Sequence, residues 1–385
     1  MKRISLIAIM ALMGIGSVAA KSSTTLPIVG EVVKATNPLI QYVGRVSFAK
    51  NETASFNFPG TSIFARFQGS SLKMICRPMT GYFMAQVDGC EPFKVGFNAE
   101  RDSVVTVAAA LPKGEHQVKL MYVIEGLFRT PEFRGFVLDK GCSLVKSPDL
   151  PERKIEFIGN SITCGYGVES IEMTDPFEDE TENHWLTYAN IVSDSLNAQH
   201  TSISRSGIGV YRNYDGPKAG SDENMPWQYE YTLFNKHDEK WDFNKYQPQL
   251  VCINLGTNDL STNNYDIALY EKNYRMFLTT VRSKYPNAKI VLITGPMLGE
   301  KESGEQREVL DRICSDANKK GFTLPDEVRK ARKGKNKGDK DIYRFDFTFQ
   351  TGDLGYGASW HPSKLQHQKM AGELLPFLRN LMGWE

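Results

Sequence analysis

From about residue 30 to 148, apolar and polar positions alternate over short stretches. The segments 47–51, 54–60, 62–68, 71–77, 82–89, 103–109 and 116–124 recur roughly every ten residues, with Gly, Pro, Asn and Asp between them. Alternation with period two marks strands with one buried face, and this spacing predicts an all-β jelly roll or β-sandwich. Residues 147–151 (SPDLP) read as a linker. The rhythm then changes. Segments 154–160, 200–204, 249–256, 289–295 and 341–347 are apolar strand candidates, and helical patterns lie at about 183–197, 263–284, 304–320 and 363–382. In the last helix Leu365, Met370, Leu374, Leu375, Leu378 and Leu381 form a broad apolar stripe. Apolar strands alternating with amphipathic helices predict an α/β unit whose parallel sheet is covered on both faces. Such sheets carry their chemistry in the loops at the carboxyl ends of the strands.

The first twenty residues have a different design. Met1-Lys2-Arg3 precedes a 17-residue apolar run that closes on Val18-Ala19-Ala20. A basic start, an apolar middle and a small-residue end are the parts of a secretory signal, and the run is short for a membrane span. The expected division is a signal peptide over 1–20 cut after Ala20, a β-sandwich domain over 21–148 and the α/β domain over 149–385. The mature protein is then secreted or periplasmic, with no membrane partner.

Composition narrows the partners. Lysine and arginine number 46 against 45 acids, so the chain has no global field for nucleic acid. The one strongly charged run, 326–341, carries acids as well as bases and no aromatic ring for base stacking, so it reads as a solvated insertion. Six cysteines match no zinc or redox spacing, and of the possible disulfides Cys76 with Cys90 is the favoured pair. No phosphate-loop or dinucleotide motif is present, and no metal or other cofactor is expected.

Four short blocks fall at strand ends or helix starts. Ser161 follows the strand candidate at 154–160, Gly207 follows 200–204, Asn258 follows 249–256, and His361 stands before the last helix. A serine hydroxyl is a poor nucleophile near neutral pH until an imidazole takes its proton. The tetrahedral oxyanion that results needs preorganised donors. Ser161 is therefore the candidate nucleophile and His361 its general base. The amides of Ser161 and Gly207 and the Asn258 side chain form the candidate oxyanion hole.

The blocks GNSIT, SRSG, NLGTND and WHP resemble those of the SGNH (GDSL-like) hydrolase superfamily. With FPGTSIFARFQG in the β-rich half and EFIGNSITCGYG, GVYRNYDG and WHPSKLQHQKMA beyond it, nearly the whole mature chain resembles carbohydrate esterase family 2. That resemblance implies a jelly roll followed by a flavodoxin-like hydrolase domain. It implies a serine esterase that deacetylates plant polysaccharides such as xylan or glucomannan, with Trp360 and Tyr214 as substrate-contacting aromatics. Alternatives on the same scaffold are a non-catalytic carbohydrate-binding protein and a sugar acetyltransferase. The sequence assigns no oligomeric state.

One departure bears on mechanism. Relatives commonly carry Asp two residues before the histidine, where this chain has Ser359; position 358 is Ala. The acid's task is to fix the imidazole tautomer. Three substitutes remain open: a main-chain carbonyl, giving a Ser-His dyad, Asp353 from the preceding loop, or weakly Ser359 itself. His367, six residues on, reads as structural.

Overall fold

The computed structural model describes residues 28–385 apart from 51, 101–102, 127–128, 130, 235 and 322–337. The signal segment and most of the charged run lie outside the described residues.

In the N-terminal half, alternation does what a two-faced strand requires. Along Ser62–Gly69, Ile63, Ala65 and Phe67 are buried while Phe64, Arg66 and Gln68 are less covered. This strand lies in an antiparallel sheet ordered Leu144–Val145, Ser62–Gly69, Gly114–Tyr122, Gly81–Val87, Phe93–Phe97. A second antiparallel sheet runs Glu31–Lys34, Glu132–Leu138, Leu72–Cys76, Ser103–Ala108. Both sheets contribute to one apolar core in which Phe56, Phe83 and Tyr122 meet edge to face.

The structure corrects several sequence expectations here. Residues 47–50 form no strand; Ser47 makes only an isolated bridge to Ser55, and residue 51 lies outside the described residues. Glu132–Leu138 was not singled out, yet it pairs with three other strands. It is buried at nearly every position, so it shows no alternation, and Gly135 interrupts it. Gly135 has φ +131°, and a Cβ there would stand 1.9 Å from the Val33 carbonyl oxygen. A glycine inside an apolar run was the available signal of a bulge. Cys76 and Cys90 do not form the expected disulfide: Cys76 is buried in one sheet while exposed Cys90 lies past Gly81–Val87 of the other.

In the C-terminal half the five expected strands form one parallel sheet, ordered Ala198–Ser204, Arg153–Gly159, Leu250–Asn254, Lys289–Thr294, Ile342–Asp346. Numbered by their order along the chain, these strands run 2-1-3-4-5, the flavodoxin-like order. Ile155, Phe157 and Cys252 pack under the helices Tyr188–Ser195 and Lys364–Met382. Ile158, Val251 and Ile253 pack under Ile267–Lys284 and Glu300–Lys320 on the other face. The expected helix at 183–197 is broken at Thr187, whose extended backbone separates a 3₁₀ turn, His184–Leu186, from Tyr188–Ser195. Leu365 is 54% exposed and leaves the expected stripe.

The two halves are joined by buried polar clasps. Asn57 mimics a backbone strand, donating to the Phe234 carbonyl and accepting from the Phe234 N–H, both at 2.7 Å. Val123 of the β half accepts the His184 N–H at 2.9 Å. Arg45 is buried with its guanidinium among the rings of Phe58, Tyr229, Trp241 and Phe243. It donates to the carbonyls of Tyr229 and Tyr231 at 2.5 and 2.8 Å. Replacing it removes two hydrogen bonds and a desolvated cation–π contact at once. Arg45→Met is expected to lower unfolding stability by about 2–4 kcal/mol, read as a shift of the denaturant midpoint in the full chain.

Candidate active site

The strand Arg153–Gly159 ends at the switch point of the sheet, where connections leave toward opposite faces. Gly159 is required by crowding, since a Cβ would sit 2.1 Å from Thr163 Oγ1. Asn160 then caps the short helix Ser161–Cys164, its side-chain oxygen accepting the Ile162 N–H at 3.1 Å. This turn presents Ser161 to the cleft at 6% exposure.

His361 lies 200 residues further on, and its Nε2 is 2.8 Å from Ser161 Oγ. Its Nδ1 is 3.0 Å from the Ala358 carbonyl oxygen. A carbonyl only accepts, so Nδ1 carries the proton and Nε2 is left to accept the Ser161 hydroxyl. Burial lowers the imidazole pKa to about 4, against the raising effect of the Ala358 hydrogen bond. The ring is therefore neutral at physiological pH.

The three substitutes for the absent acid separate cleanly. The main-chain carbonyl occupies Nδ1. Asp353 is exposed and accepts from Thr351 Oγ1 at 2.8 Å. The Ser359 hydroxyl faces the Asp175 carbonyl oxygen at 3.4 Å and the Tyr166 hydroxyl at 3.5 Å. Ala358 is held in turn. Its N–H donates to the Gly167 carbonyl at 3.1 Å, and its carbonyl also accepts the His361 N–H at 3.0 Å. Ser359 and Trp360 both adopt left-handed backbone, φ +50° and +59°, at a cost of about 1–2 kcal/mol each.

The segment Gly165-Tyr166-Gly167 had no assigned use in the sequence. A Cβ on Gly167 would stand 2.3 Å from Ala358 Cβ, so only glycine lets the histidine loop close on the nucleophile turn. Tyr166 stacks on the His361 ring at 4.1 Å. The aromatic two places past Cys164 was visible in the sequence, but its pairing with His361 was not.

The strand Ala198–Ser204 delivers Ser206 and Gly207 to the same cleft. Gly207 has φ +75° and open space where a Cβ would go, so conformation, not crowding, selects glycine there. From the loop after Leu250–Asn254, Asn258 lines the cleft and donates one side-chain hydrogen to the Ile208 carbonyl at 2.8 Å. Asp259, next to Asn258, is buried and accepts the backbone N–H groups of Val210, Tyr211 and Arg212 at 3.0, 2.7 and 3.1 Å. It clamps the glycine loop against the Asn258 loop. Burial raises its pKa to about 6, outweighing those three amide bonds.

Ser161, Gly207, Asn258 and His361 thus line one cleft of about 720 Å³. Tyr214 lines it too, 62% exposed, with its N–H on the Gly207 carbonyl at 2.8 Å. Trp360 is 51% exposed beside His361 but is not part of the cleft wall itself. Tyr211 is buried and its hydroxyl accepts the Asp266 N–H, so it is a core residue. His367 is buried and accepts the Tyr188 N–H at 3.3 Å. A second cavity of about 650 Å³, between helices Ile267–Lys284 and Glu300–Lys320, holds no nucleophile–base pair among the described residues. Among the described residues one buried group has metal-ligand spacing, Glu125, Cys164 and Glu182. Its carboxylate oxygens already accept the N–H groups of Ser206 and Glu125.

Residues 42–148 match the carbohydrate esterase 2 N-terminal family, and residues 155–374 match the GDSL-like lipase/acylhydrolase family. The cellulase/esterase CelE of Acetivibrio thermocellus is 34% identical over 351 residues, 90% of this chain; the match spans 40% of that protein's length. An acetylxylan esterase/glucomannan deacetylase of Cellvibrio japonicus is 27% identical over 91% of both chains. The solved structure of a family two carbohydrate esterase from Clostridium thermocellum, in complex with cellohexaose, superposes with TM-score 0.79 and 34% identity, covering 90% of this chain and all of that one. Two antiparallel sheets, a parallel sheet in flavodoxin-like order and these matches lead to one assignment: the chain belongs to the family 2 carbohydrate esterases, within the SGNH (GDSL-like) hydrolase superfamily.

Proposed function

We propose that the chain is a carboxylic ester hydrolase that removes O-acetyl groups from plant polysaccharides such as acetylated xylan or glucomannan. The observation that carries this reading is the hydroxyl–imidazole pair at 2.8 Å, with the far ring nitrogen committed to a carbonyl. The relatives named acetylxylan esterase and glucomannan deacetylase support the substrate class.

In this reaction Ser161 Oγ bonds to the acetyl carbonyl carbon as its proton passes to His361 Nε2. The oxyanion is held by the N–H groups of Ser161 and Gly207 and by the Asn258 side chain. The C–O bond to the sugar then breaks, and the imidazolium returns its proton to the sugar oxygen. Water, deprotonated by the same nitrogen, releases acetate and restores the serine. No cofactor takes part. Tyr214 and Trp360 offer ring faces to the sugar chain. Among the described residues on the cleft wall, with His361 neutral, the charged side chain is Glu302, which suits a neutral glycan. We place the domain division at 21–148 and 149–385, and we take 1–20 as an export signal. No helix among the described residues is long and apolar enough to cross a membrane.

Acetate release from acetylated xylan and glucomannan, alongside a fluorogenic acetate ester, tests the reading. Ser161→Ala is expected to lower kcat by about 10⁴–10⁶-fold, and Asn258→Ala by about 10²–10³-fold. A wild-type chain that binds the glycans and releases no acetate would instead be a carbohydrate-binding protein.

The pH profile carries a sign. The base works only when neutral, and its pKa is lowered, to about 4. Activity is therefore kept as pH falls through 6.5 and lost only as it approaches the lowered value. Between pH 7.5 and 5.5, kcat/KM is expected to stay within about twofold, whereas a histidine of ordinary pKa would leave about a tenth. A drop centred near 6.5 contradicts this.

Installing the missing acid is a further check. Because Ala358 already accepts from Nδ1, Ser359→Asp is expected to leave kcat at or below the parent value. A clear gain would mean that the carbonyl orients the ring poorly.

A further inference from the structure

The seam between the two halves reaches the cleft through one side chain. Glu125 lies just past the strand Gly114–Tyr122 of the β half and is 4% exposed. Its Oε2 accepts the Ser206 backbone N–H at 2.7 Å. Ser206 immediately precedes Gly207. Glu125 is fixed from its own side as well, its N–H donating to Glu182 Oε2 at 2.9 Å. Cys164 Sγ, at the end of the nucleophile helix, is 4.0 Å from the same Glu125 oxygen. One carboxyl from the β half thus meets both the nucleophile turn and the glycine loop.

We propose that Glu125 is a positioning residue for the oxyanion hole, anchoring the upstream end of the loop that carries the Gly207 N–H. The inference deepens the reaction proposed above and rests on it. Glycine has the greatest backbone freedom of any residue, and Gly207 sits in a left-handed conformation. An oxyanion donor works only if its direction is set before the charge develops. Downstream the loop is well tied: Gly207 O to the Tyr214 N–H, Gly209 N–H to Asn213 Oδ1 at 3.1 Å, and residues 210–212 to Asp259. Upstream the tie from the β half is Glu125.

The tie needs an acceptor oxygen rather than a charge. Burial pushes both the Glu125 and Glu182 carboxyls up, while Ser206 and the nearby Arg205 favour the Glu125 carboxylate. A glutamine at 125 keeps a side-chain oxygen for the Ser206 N–H. The metal-like spacing of Glu125, Cys164 and Glu182 follows from the same convergence of three segments.

The test compares Glu125→Ala, Glu125→Asp and Glu125→Gln in the full chain, reading kcat and KM for acetate release together with amide hydrogen exchange. Glu125→Ala is expected to lower kcat about 10–100-fold with KM within about threefold, because misplacing a catalytic group by about 1 Å costs on that order. Glu125→Asp withdraws the oxygen by one methylene and should fall between Ala and the parent. Glu125→Gln should restore kcat to within about fivefold. Exchange should quicken at 205–209 in the Ala and Asp variants while the strand Leu250–Asn254 keeps its protection. If Glu125→Ala does not fold, the contrast between Asp and Gln decides. An unchanged kcat, or a loss that spreads to exchange everywhere and is not rescued by Gln, overturns the proposal. If the parent chain itself releases no acetate, the esterase reading fails separately. The exchange at 205–209 then decides the anchor alone: quickened it stands, unchanged it falls.

Discussion

An imidazole removed from water has few ways to stay useful. It must remain neutral, it must hold its proton on one chosen nitrogen, and it must not turn. In this chain burial meets the first requirement, and the other two meet at the Ala358 carbonyl, which accepts both the main-chain N–H and the ring Nδ1–H of His361 at 3.0 Å. Two hydrogen bonds from one residue to one oxygen fix the side-chain torsion as well as the tautomer. The carbonyl is itself placed by Gly167 beneath it and by two consecutive left-handed residues after it. The backbone strain at Ser359 and Trp360 is thus tied to the geometry at Ser161. Strain of this kind persists only where the surroundings over-determine it, and the Gly167 and Met173 carbonyls that accept the Ala358 and Trp360 N–H groups supply that surplus.

The same logic explains why the two halves behave as one body. A seam made only of apolar contacts tolerates sliding, whereas buried polar groups tolerate very little, because each must find its partner or lose about 1–3 kcal/mol. Arg45, Asn57, Val123 and Glu125 each spend a hydrogen bond across the seam on a main-chain group. Main-chain partners are indifferent to side-chain identity on the other side, so the register is held by the path of the backbone itself. The β half in this sense backs the cleft without lining it: through His184 and Ser206 it reaches the segments next to Ser161 and Gly207.

How much of this was written in the sequence follows from range. The five parallel strands were legible because burial on both faces leaves continuous apolar runs, and the four blocks were legible because each sits next to the strand that positions it. Glu132–Leu138 escaped because an interior strand interrupted by a glycine shows no alternation. The disulfide expectation for Cys76 and Cys90 failed because sequence nearness says nothing about which sheet a strand joins. The substitute for the missing acid was open in principle, since a main-chain carbonyl leaves no residue-type signature. Tyr166 and Glu125 were invisible for a different reason: their partners, His361 and Ser206, lie 195 and 81 positions away, and only the folded sheet brings them together.

A carbonyl in place of a carboxylate has a chemical consequence for the proposed reaction. It fixes the tautomer as an acid would, but it carries no full charge to stabilise the imidazolium that forms when Ser161 gives up its proton. Burial also works against that cation, as the lowered pKa of His361 records. The base is therefore always available near neutrality but weakly driven. Help has to come from groups that act only once charge appears. The Tyr166 ring, stacked on the imidazole at 4.1 Å, offers its π face to the cation, a contribution of about 0.5–2 kcal/mol. The oxyanion donors stabilise the opposite charge at the same moment, and each is worth more than the ring. The weaker the imidazole's support, the more of the barrier falls to the Gly207 and Asn258 donors. That places the heaviest demand for rigidity on the loops that Asp259 and Glu125 hold.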